Sequence, residues 1–223
     1  MNNGSKKSLR IILLGAPGAG KGTQADRLAG LFTVPHISTG DILRAEIAAG
    51  TLLGNKVKAV IEKGNLVPDE DILAIVGQRL AEADCENGFI LDGFPRTIPQ
   101  AEALDEILKK LGVSLDAVLS IEVADSDIVT RMSGRRVCGK CGASYHIVYN
   151  KPEKDNICDK CGSELSIRKD DSPEVVKGRL DVYHSQTAPL KEYYKKSGKL
   201  VTAQGKEELR DTSAEVDKAL GNL

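Results

Sequence analysis

A glycine-rich run that ends in lysine, residues 15–21 (Gly-Ala-Pro-Gly-Ala-Gly-Lys), directly follows the apolar residues 11–14. The apolar run bounded by glycine predicts a buried strand over residues 8–14, and a helix is predicted over residues 20–31. Between a strand and a helix, glycines at this spacing let backbone N–H groups turn toward phosphate oxygens at the positive end of the helix. Lys21 adds a full positive charge. The sequence therefore predicts a nucleotide phosphate site.

Strand and helix patterns alternate along the rest of the chain. Further strands are predicted at residues 89–91, 117–123 and 200–201. Helices are predicted at residues 41–49, 52–63, 68–83, 98–111, 125–132, 173–194 and 209–220. Residues 35–40 are rich in turn-forming types and predict a turn. This alternation predicts an α/β fold, in which a parallel sheet carries helices on both faces.

The composition excludes several classes of protein. With 223 residues, 41% hydrophobic and 28% charged, the chain suits one large globular domain or one domain with insertions. The net charge is −1 and aromatic residues make up only 4%, so we expect no nucleic-acid partner. No apolar stretch approaches the roughly 18 residues of a membrane span, so we expect no membrane association. Five cysteines, an odd number, without a signal-peptide pattern predict a cytoplasmic protein.

Asp92 directly follows the strand predicted at residues 89–91, at the edge of a parallel sheet where ligands gather. A carboxylate there can hold Mg²⁺ through the water shell of the ion. The alternative is that the Asp-Gly pair only forms a turn, but next to a phosphate loop we favour the magnesium role. Gly22 stands where the phosphate-loop motif usually has Ser or Thr, and Thr23 follows it.

Arginines are placed in several predicted loops and at the ends of predicted elements. The seven candidates for a phosphate site are Arg44, Arg96, Arg131, Arg135, Arg136, Arg168 and Arg179. Phosphoryl transfer needs positioned cations around the transferring group, and a guanidinium grips phosphate oxygens with two bonds. For any one arginine a solvated surface role is the commoner one, and spacing alone does not choose among them.

Between residues 134 and 171 the composition changes, and this segment predicts a small inserted subdomain. It contains two C-x2-C pairs separated by sixteen residues: Cys138, Cys141, Cys158 and Cys161. This spacing predicts a zinc site. Gly142 and Gly162 follow the pairs, where a tight knuckle needs a residue that tolerates a positive φ. Free thiols, two disulfides or the zinc ribbon of a nucleic-acid binder are the alternatives.

Six runs of the sequence together resemble the adenylate kinases. In chain order they are residues 15–24, 37–44, 91–97, 134–136, 168–171 and 183–190. The resemblance covers almost the whole chain, from Leu9 to Leu220, and Gly22 agrees with the family's own pattern. It implies the reaction ATP + AMP ⇌ 2 ADP with Mg²⁺, a P-loop NTPase-like fold, and the bacterial type whose long lid carries structural zinc. A monomer is expected.

The resemblance also implies a division into three parts. Residues 1–37, 68–133 and 172–223 would form the core, residues 38–67 a helical AMP-binding region, and residues 134–171 the zinc-binding lid.

The resemblance further assigns roles to individual residues. The implied ATP-binding residues are Gly18, Ala19, Gly20, Lys21, Gly22, Thr23, Arg131, Arg135, Ser144, Tyr145 and Glu207. The implied AMP-binding residues are Thr39, Arg44, Asn65, Leu66, Val67, Gly93, Phe94, Pro95, Arg96, Gln100, Arg168 and Arg179. The implied catalytic residues are Lys21, Arg96, Arg135, Arg168 and Arg179. The side-chain amide of Gln100 can pair with an adenine edge through a donor and an acceptor.

Two alternative functions stay open at this point. The same scaffold could phosphorylate UMP, GMP or a small alcohol. The cysteine pairs could instead belong to a zinc-ribbon nucleic-acid binder that uses ATP as a switch, although the near-neutral charge argues against it.

Overall fold

The computed structural model describes residues 8–221, and these residues form two β-sheets. In chain order the strands are β1 (Leu9–Leu14), β2 (His36–Ser38), β3 (Gly88–Asp92), β4 (Ala117–Glu122), β5 (Arg135–Cys138), β6 (Ser144–His146), β7 (Leu165–Ser166) and β8 (Leu200–Gln204). The larger sheet has the order β2-β3-β1-β4-β8, and every pair of neighbours is parallel. The smaller sheet has the order β6-β5-β7 and is antiparallel.

Nine α-helices connect or follow these strands within residues 8–221. They are α1 (Lys21–Phe32), α2 (Thr39–Ala49), α3 (Leu52–Glu62), α4 (Asp69–Leu80), α5 (Ile98–Lys110), α6 (Asp125–Gly134), α7 (Pro173–Val182), α8 (Leu190–Lys196) and α9 (Leu209–Leu220). Side-chain oxygens of Ser38, Thr51, Thr97 and Ser172 accept a backbone N–H at the starts of α2, α3, α5 and α7. Such caps satisfy donors that the first helical turn leaves free.

The larger sheet is covered on both faces, as the sequence predicts. Along β1, Ile11 and Leu13 face a cluster with α1, α6, α7 and α9, whereas Ile12 and Leu14 face a cluster with α4, α5 and α8. Successive side chains of a strand point to opposite faces, so a strand that is apolar at every position must be buried on both. The sheet is therefore the rigid centre on which the loops at its carboxyl edge are mounted.

Two expectations about the core were wrong. Residues 35–40 contain strand β2, which pairs in parallel with β3, rather than only a turn. Three residues are too few for a strand periodicity to be recognised. The helix predicted over residues 173–194 is interrupted by a π-helical turn, Tyr183–Thr187, between α7 and α8.

Helices α2 and α3 form a hairpin beside the core. A Cβ atom at Gly54, in the first turn of α3, would collide with the backbone carbonyl of Glu46 in α2. Glycine is therefore required for this close crossing of the two helices. None of the helices among residues 8–221 has both the length and the apolar character needed to cross a membrane.

The smaller sheet lies in the segment with the two cysteine pairs. Gly142 and Gly162 have φ angles of 75° and 71°, which confirms the prediction for these positions. Each donates its backbone N–H to the carbonyl of the first cysteine of its pair, Cys138 (3.0 Å) or Cys158 (2.8 Å). The two tight turns bring both pairs to one end of the small sheet.

Candidate active site at the carboxyl edge of the sheet

A cavity of about 950 Å³ opens where β1 and β3 end, between the core, the α2–α3 hairpin and the segment with the small sheet. The carboxyl ends of parallel strands are the general location of ligand sites in such sheets. The glycine-rich loop and the knuckle residues Cys138 and Cys141 both line this cavity. A smaller cavity of about 60 Å³ adjoins it beneath α2.

The glycine-rich loop has both a positive φ and no room for a Cβ atom at two of its positions. Gly15 and Gly18 have φ angles of 141° and 81°. A Cβ atom at Gly15 would lie 2.6 Å from the carbonyl oxygen of Ile121, and one at Gly18 would lie 2.8 Å from the sulfur of Met132. The loop is thus packed tightly against the core, which keeps its N–H groups in position for an anion.

Lys21, the first residue of α1, folds back over this loop. Its Nζ donates to the carbonyl oxygens of Gly15 (2.8 Å) and Ala16 (2.9 Å). Burial and nearby arginines lower the pKa of Lys21 to about 8, although Asp92 opposes them. A phosphate group beside the amine would favour the charged form and raise this pKa again.

Asp92 is part of a chain of charged groups that the sequence did not reveal. His36 Nε2 lies 3.6 Å from Asp92 Oδ2, and His36 Nδ1 lies 2.8 Å from Asp26 Oδ1. Burial lowers the pKa of His36, but the two carboxylates raise it more, to about 9. Burial alone would raise the pKa of Asp92, yet His36 and Lys21 keep it below its usual value. Asp92 is therefore an ionised oxygen donor, which suits Mg²⁺.

Six of the seven candidate arginines line the larger cavity: Arg44, Arg96, Arg131, Arg135, Arg168 and Arg179. Arg136 is directed elsewhere and donates to the carbonyls of Ser133 and Arg135. Burial and neighbouring arginines lower the pKa values of Arg168 and Arg179 to about 10, so both remain charged at neutral pH. Six arginine side chains therefore supply positive charge to the same cavity.

Carboxylates hold four of these arginines in place. Asp41 Oδ1 accepts from Arg44 (2.5 Å) and from Arg168 (3.3 Å). Asp171 pairs with Arg135 (2.5 Å), and Asp170 pairs with Arg179 (2.7 Å). Sequence reasoning missed these partners, although each acid lies within one of the six motif runs. The acids fix the directions of the guanidinium groups before any substrate binds.

The smaller cavity is lined by residues of the predicted AMP site. Thr39 Oγ1 donates to the carbonyl of Gly93 (3.0 Å), and Gln100 is almost fully buried beside them. Asn65, Leu66 and Val67 also line this cavity. Phe94 is different, because it lies in the hydrophobic core and lines neither cavity.

The predicted ATP-binding residues all line the larger cavity: Gly18, Ala19, Gly20, Lys21, Gly22, Thr23, Arg131, Arg135, Ser144, Tyr145 and Glu207. Arg131 and the segment before Glu207 meet there, because Arg131 Nη2 donates to the carbonyl of Lys206 at 2.6 Å. Pro95 borders the same space.

The four cysteines of the two pairs converge on one point. Their Sγ atoms all lie within 4.8 Å of one another, with Cys138–Cys161 at 3.4 Å and Cys141–Cys158 at 3.5 Å. No disulfide joins them, so that alternative is wrong. A tetrahedral ion with Zn–S bonds of about 2.3 Å needs sulfurs separated by about 3.8 Å. The four thiols therefore fit a metal ion of this kind.

The family model described as adenylate kinase matches residues 13–199, which include the phosphate loop, the arginines and both cysteine pairs. The chain belongs to the adenylate kinase family. Curated adenylate kinases from Caldicellulosiruptor bescii and Acetivibrio thermocellus are each 60% identical to it, over 96% of this chain and 99% of their own length. One from Methanocella arvoryzae is 51% identical over 96% of this chain and its full length. As a member of this family the chain is an enzyme, a phosphotransferase, and its cysteine cluster is consistent with a zinc-carrying adenylate kinase lid.

Proposed function

We propose that this chain catalyses ATP + AMP ⇌ 2 ADP and that the two cavities hold the two nucleotides. The observation that carries the proposal is the meeting of a phosphate loop, an ionised Asp92 and six arginines in one cavity. Such a site supplies what phosphoryl transfer requires, which is positioning and positive charge rather than a nucleophile of its own. Membership of the adenylate kinase family supports the same reaction.

ATP is proposed to bind along the phosphate loop. The N–H groups of residues 18–23 would hold its phosphates at the start of α1. Arg131 and the backbone near Glu207, which adjoin each other, would hold the adenine. Ser144 and Tyr145 would contact ATP from the small sheet.

AMP is proposed to bind in and above the smaller cavity. Thr39, Leu66, Val67 and Gln100 would surround the base, while Arg44 would hold the phosphate. Asn65, Gly93 and Pro95 would complete the walls of this site.

Lys21, Arg96, Arg135, Arg168 and Arg179 are proposed to surround the transferring phosphoryl group. These cations would stabilise the charge on its oxygens, and no general base is needed because the AMP phosphate is already ionised. A bound Mg²⁺ would neutralise phosphate charge, and Asp92 would hold that ion through its water shell.

Three parts are proposed for the molecule: a core (residues 1–37, 68–133 and 172–223), an AMP-binding region (38–67) and a lid (134–171). Ion pairs join the lid to both other parts: Lys160–Asp26 at 3.6 Å and Arg168–Asp41 at 3.3 Å. We propose that the lid and the AMP-binding region close over both nucleotides, so that water does not accept the phosphoryl group. A two-substrate analogue should then protect lid amides from hydrogen exchange.

The metal is proposed to be structural zinc. Four thiolates complete a tetrahedron, whereas a catalytic zinc keeps one position open for water or substrate. The cytoplasmic location, which reduced thiols favour, and the monomeric state remain predictions.

A coupled assay across AMP, GMP, UMP and CMP, with and without Mg²⁺, tests the proposed reaction. We expect phosphorylation that requires Mg²⁺ and prefers AMP. Equal rates with UMP, or with a small alcohol as acceptor, would contradict the assignment of AMP.

A further inference from the structure

The Gln100 side chain is held at both ends of its amide group. Gln100 is the third residue of α5, is 2% exposed and borders the smaller cavity. Its Oε1 accepts from the backbone N–H of Arg96 at 2.7 Å. Its Nε2 donates to Oδ1 of Asp69, the first residue of α4, at 2.6 Å. The N–H can only donate and the carboxylate can only accept, so these partners define one orientation of the amide.

We infer that Asp69 is a specificity-determining residue, which fixes the amide of Gln100 so that the site accepts adenine and rejects guanine. The inference rests on the proposed function, in which Gln100 meets the base of the nucleoside monophosphate. Asp69 lines neither cavity and acts through Gln100, so it is a positioning residue.

The donors and acceptors of the amide lead to this conclusion. A primary amide has two N–H groups and two lone pairs on oxygen, and the protein uses one of each. One N–H and one lone pair remain for the base. Adenine offers an acceptor (N1) beside a donor (the N6 amino group), whereas guanine offers a donor (N1–H) beside an acceptor (O6). The donor and the acceptor of guanine therefore occupy the positions that the acceptor and the donor occupy in adenine. An amide held in one orientation can pair with only one of the two bases.

Two anchors are needed because a glutamine amide turns easily. The terminal torsion of glutamine is broad and roughly two-fold, so an unanchored amide adopts both orientations. The bond from the Arg96 N–H is neutral, whereas the bond to the Asp69 carboxylate is charge-assisted and therefore about twice as strong. Asp69 is thus the stronger anchor. A flipped amide would place its NH₂ group against the Arg96 N–H and its oxygen against the carboxylate.

The location of Asp69 keeps its carboxylate in place. It lies at the start of α4, where the helix dipole favours negative charge, and it follows Pro68. Gln100 is 31 residues away on α5, so the bond links two packed helices. A purely structural link between α4 and α5 is the competing interpretation.

The test compares Asp69→Ala, Asp69→Asn and the control Glu70→Ala, with AMP and GMP as acceptors at saturating ATP and Mg²⁺. Glu70 is the adjacent acid in the first turn of α4, and its side chain is 83% exposed. Both alanine variants lose one carboxylate from that turn, so the control reproduces any effect on helix stability.

For Asp69→Ala we expect the ratio of kcat/KM for AMP to that for GMP to fall about tenfold, because a buried amide loses its anchor. The KM for AMP should rise, while kcat with AMP and the KM for ATP should stay within about twofold. Asp69→Asn keeps a carbonyl acceptor without the charge, so its ratio should fall only about threefold. Glu70→Ala should keep the wild-type ratio.

An AMP/GMP ratio in Asp69→Ala equal to that in Glu70→Ala would overturn the inference, and so would an Asp69→Asn ratio equal to wild type. A lower melting temperature of Asp69→Ala with unchanged selectivity would establish the structural link instead. A wild-type enzyme without any preference for AMP over GMP would contradict the proposed function as well, which separates the two failures.

Discussion

The phosphate loop and the lid hold their functional groups in place by different means. The loop is fixed by a sheet with a large apolar cluster on each face, against which Gly15 and Gly18 pack without room for a side chain. The apolar cluster of the lid contains only five buried residues: Cys138, Ala143, Tyr145, Cys158 and Leu165. Two of these are candidate metal ligands. So small an apolar core orders a subdomain poorly, and metal coordination can supply the missing free energy.

In the two regions, chemistry and stability therefore depend on different residues. In the core, the charged groups of the site lie on a scaffold that apolar burial stabilises. In the lid, we propose that the cysteines stabilise the fold through a bound metal, while Arg135 and Arg168 line the larger cavity. We therefore expect core-site variants to lose activity and keep their stability, and cysteine variants to do the opposite.

The largest effect is expected for Lys21→Met. Methionine keeps the length of the side chain but removes the charge beside the phosphates, so kcat/KM should fall by about 10³-fold or more. Among residues 8–221 the amine hydrogen-bonds only to the loop carbonyls of Gly15 and Ala16, so circular dichroism and the melting temperature should change little. Lys56→Met is the matched control, since Lys56 pairs with Asp71 away from the cavities and should keep full activity. A Lys21→Met enzyme with wild-type kcat/KM would contradict the role of this amine in the chemistry.

Arg96→Lys is expected to have the next largest effect. Arg96 Nε donates to the carbonyl of Gly93 at 2.8 Å, and its guanidinium faces the cavity. Lysine keeps the charge but loses the planar fork, so kcat should fall by about 10²-fold with the fold retained. Steady-state kinetics measure the fall in kcat, and a melting curve of the same sample shows whether the fold is retained. An unchanged kcat would remove Arg96 from the site.

The pH dependence should differ between the two substrates. Lys21, with a pKa of about 8 in the free enzyme, loses its charge above that pH, and ATP binds the protonated form. The KM for ATP should therefore be flat up to about pH 7, roughly double by pH 8, and then rise by up to about tenfold per pH unit. Arg168 and Arg179 stay protonated to about pH 10, so the KM for AMP should remain flat up to pH 9.5. Parallel profiles for both substrates would contradict this assignment.

Cys158→Ser should have the smallest effect on activity. We expect loss of bound zinc and a lower melting temperature, since losing about 3 kcal/mol lowers the melting temperature of a protein of this size by roughly 6–12 °C. Below that transition, kcat should stay within about threefold of wild type. Hydrogen exchange should increase in the lid and not in β1.

The matched control for that variant is Cys85→Ser. Cys85 is buried in the core beside Arg79 and takes no part in the cysteine cluster. The zinc content of the Cys85→Ser variant should therefore equal that of the wild-type protein. If Cys158→Ser loses phosphoryl transfer while its lid amides remain protected from hydrogen exchange, the metal takes part in the chemistry and is not merely structural.

The sequence predicted those features that depend on local pattern. The glycine loop, the parallel sheet, the cysteine pairs and the positive φ angles of Gly142 and Gly162 follow from residue type and spacing. The family resemblance then selected the arginines, which spacing alone did not. It also placed Phe94 in the AMP site, whereas its side chain lies in the core and lines neither cavity.

The features that sequence reasoning missed depend on contacts between distant segments. His36 lies between Asp26 and Asp92 only because β2 pairs with β3. Asp69 meets Gln100 only because α4 packs on α5. No sequence periodicity encodes such contacts, and for the same reason the pattern of residues 35–40 predicts a turn and not strand β2.

Helix α1, which begins at the phosphate loop, is completed by a helix that is synthesised much later, α9. Gln24 bonds to Ser213, 189 residues away, and Arg27 pairs with Asp217 on the same helix α9. Ribosomes extend the chain from the amino terminus, so α1 lacks these partners until α9 has been translated. The strands of the lid sheet, by contrast, pair only within residues 135–166. The nascent chain can therefore assemble its cysteine knuckles while the phosphate-loop core still lacks α9 and exposes apolar surface, which is the kind of surface that promotes aggregation.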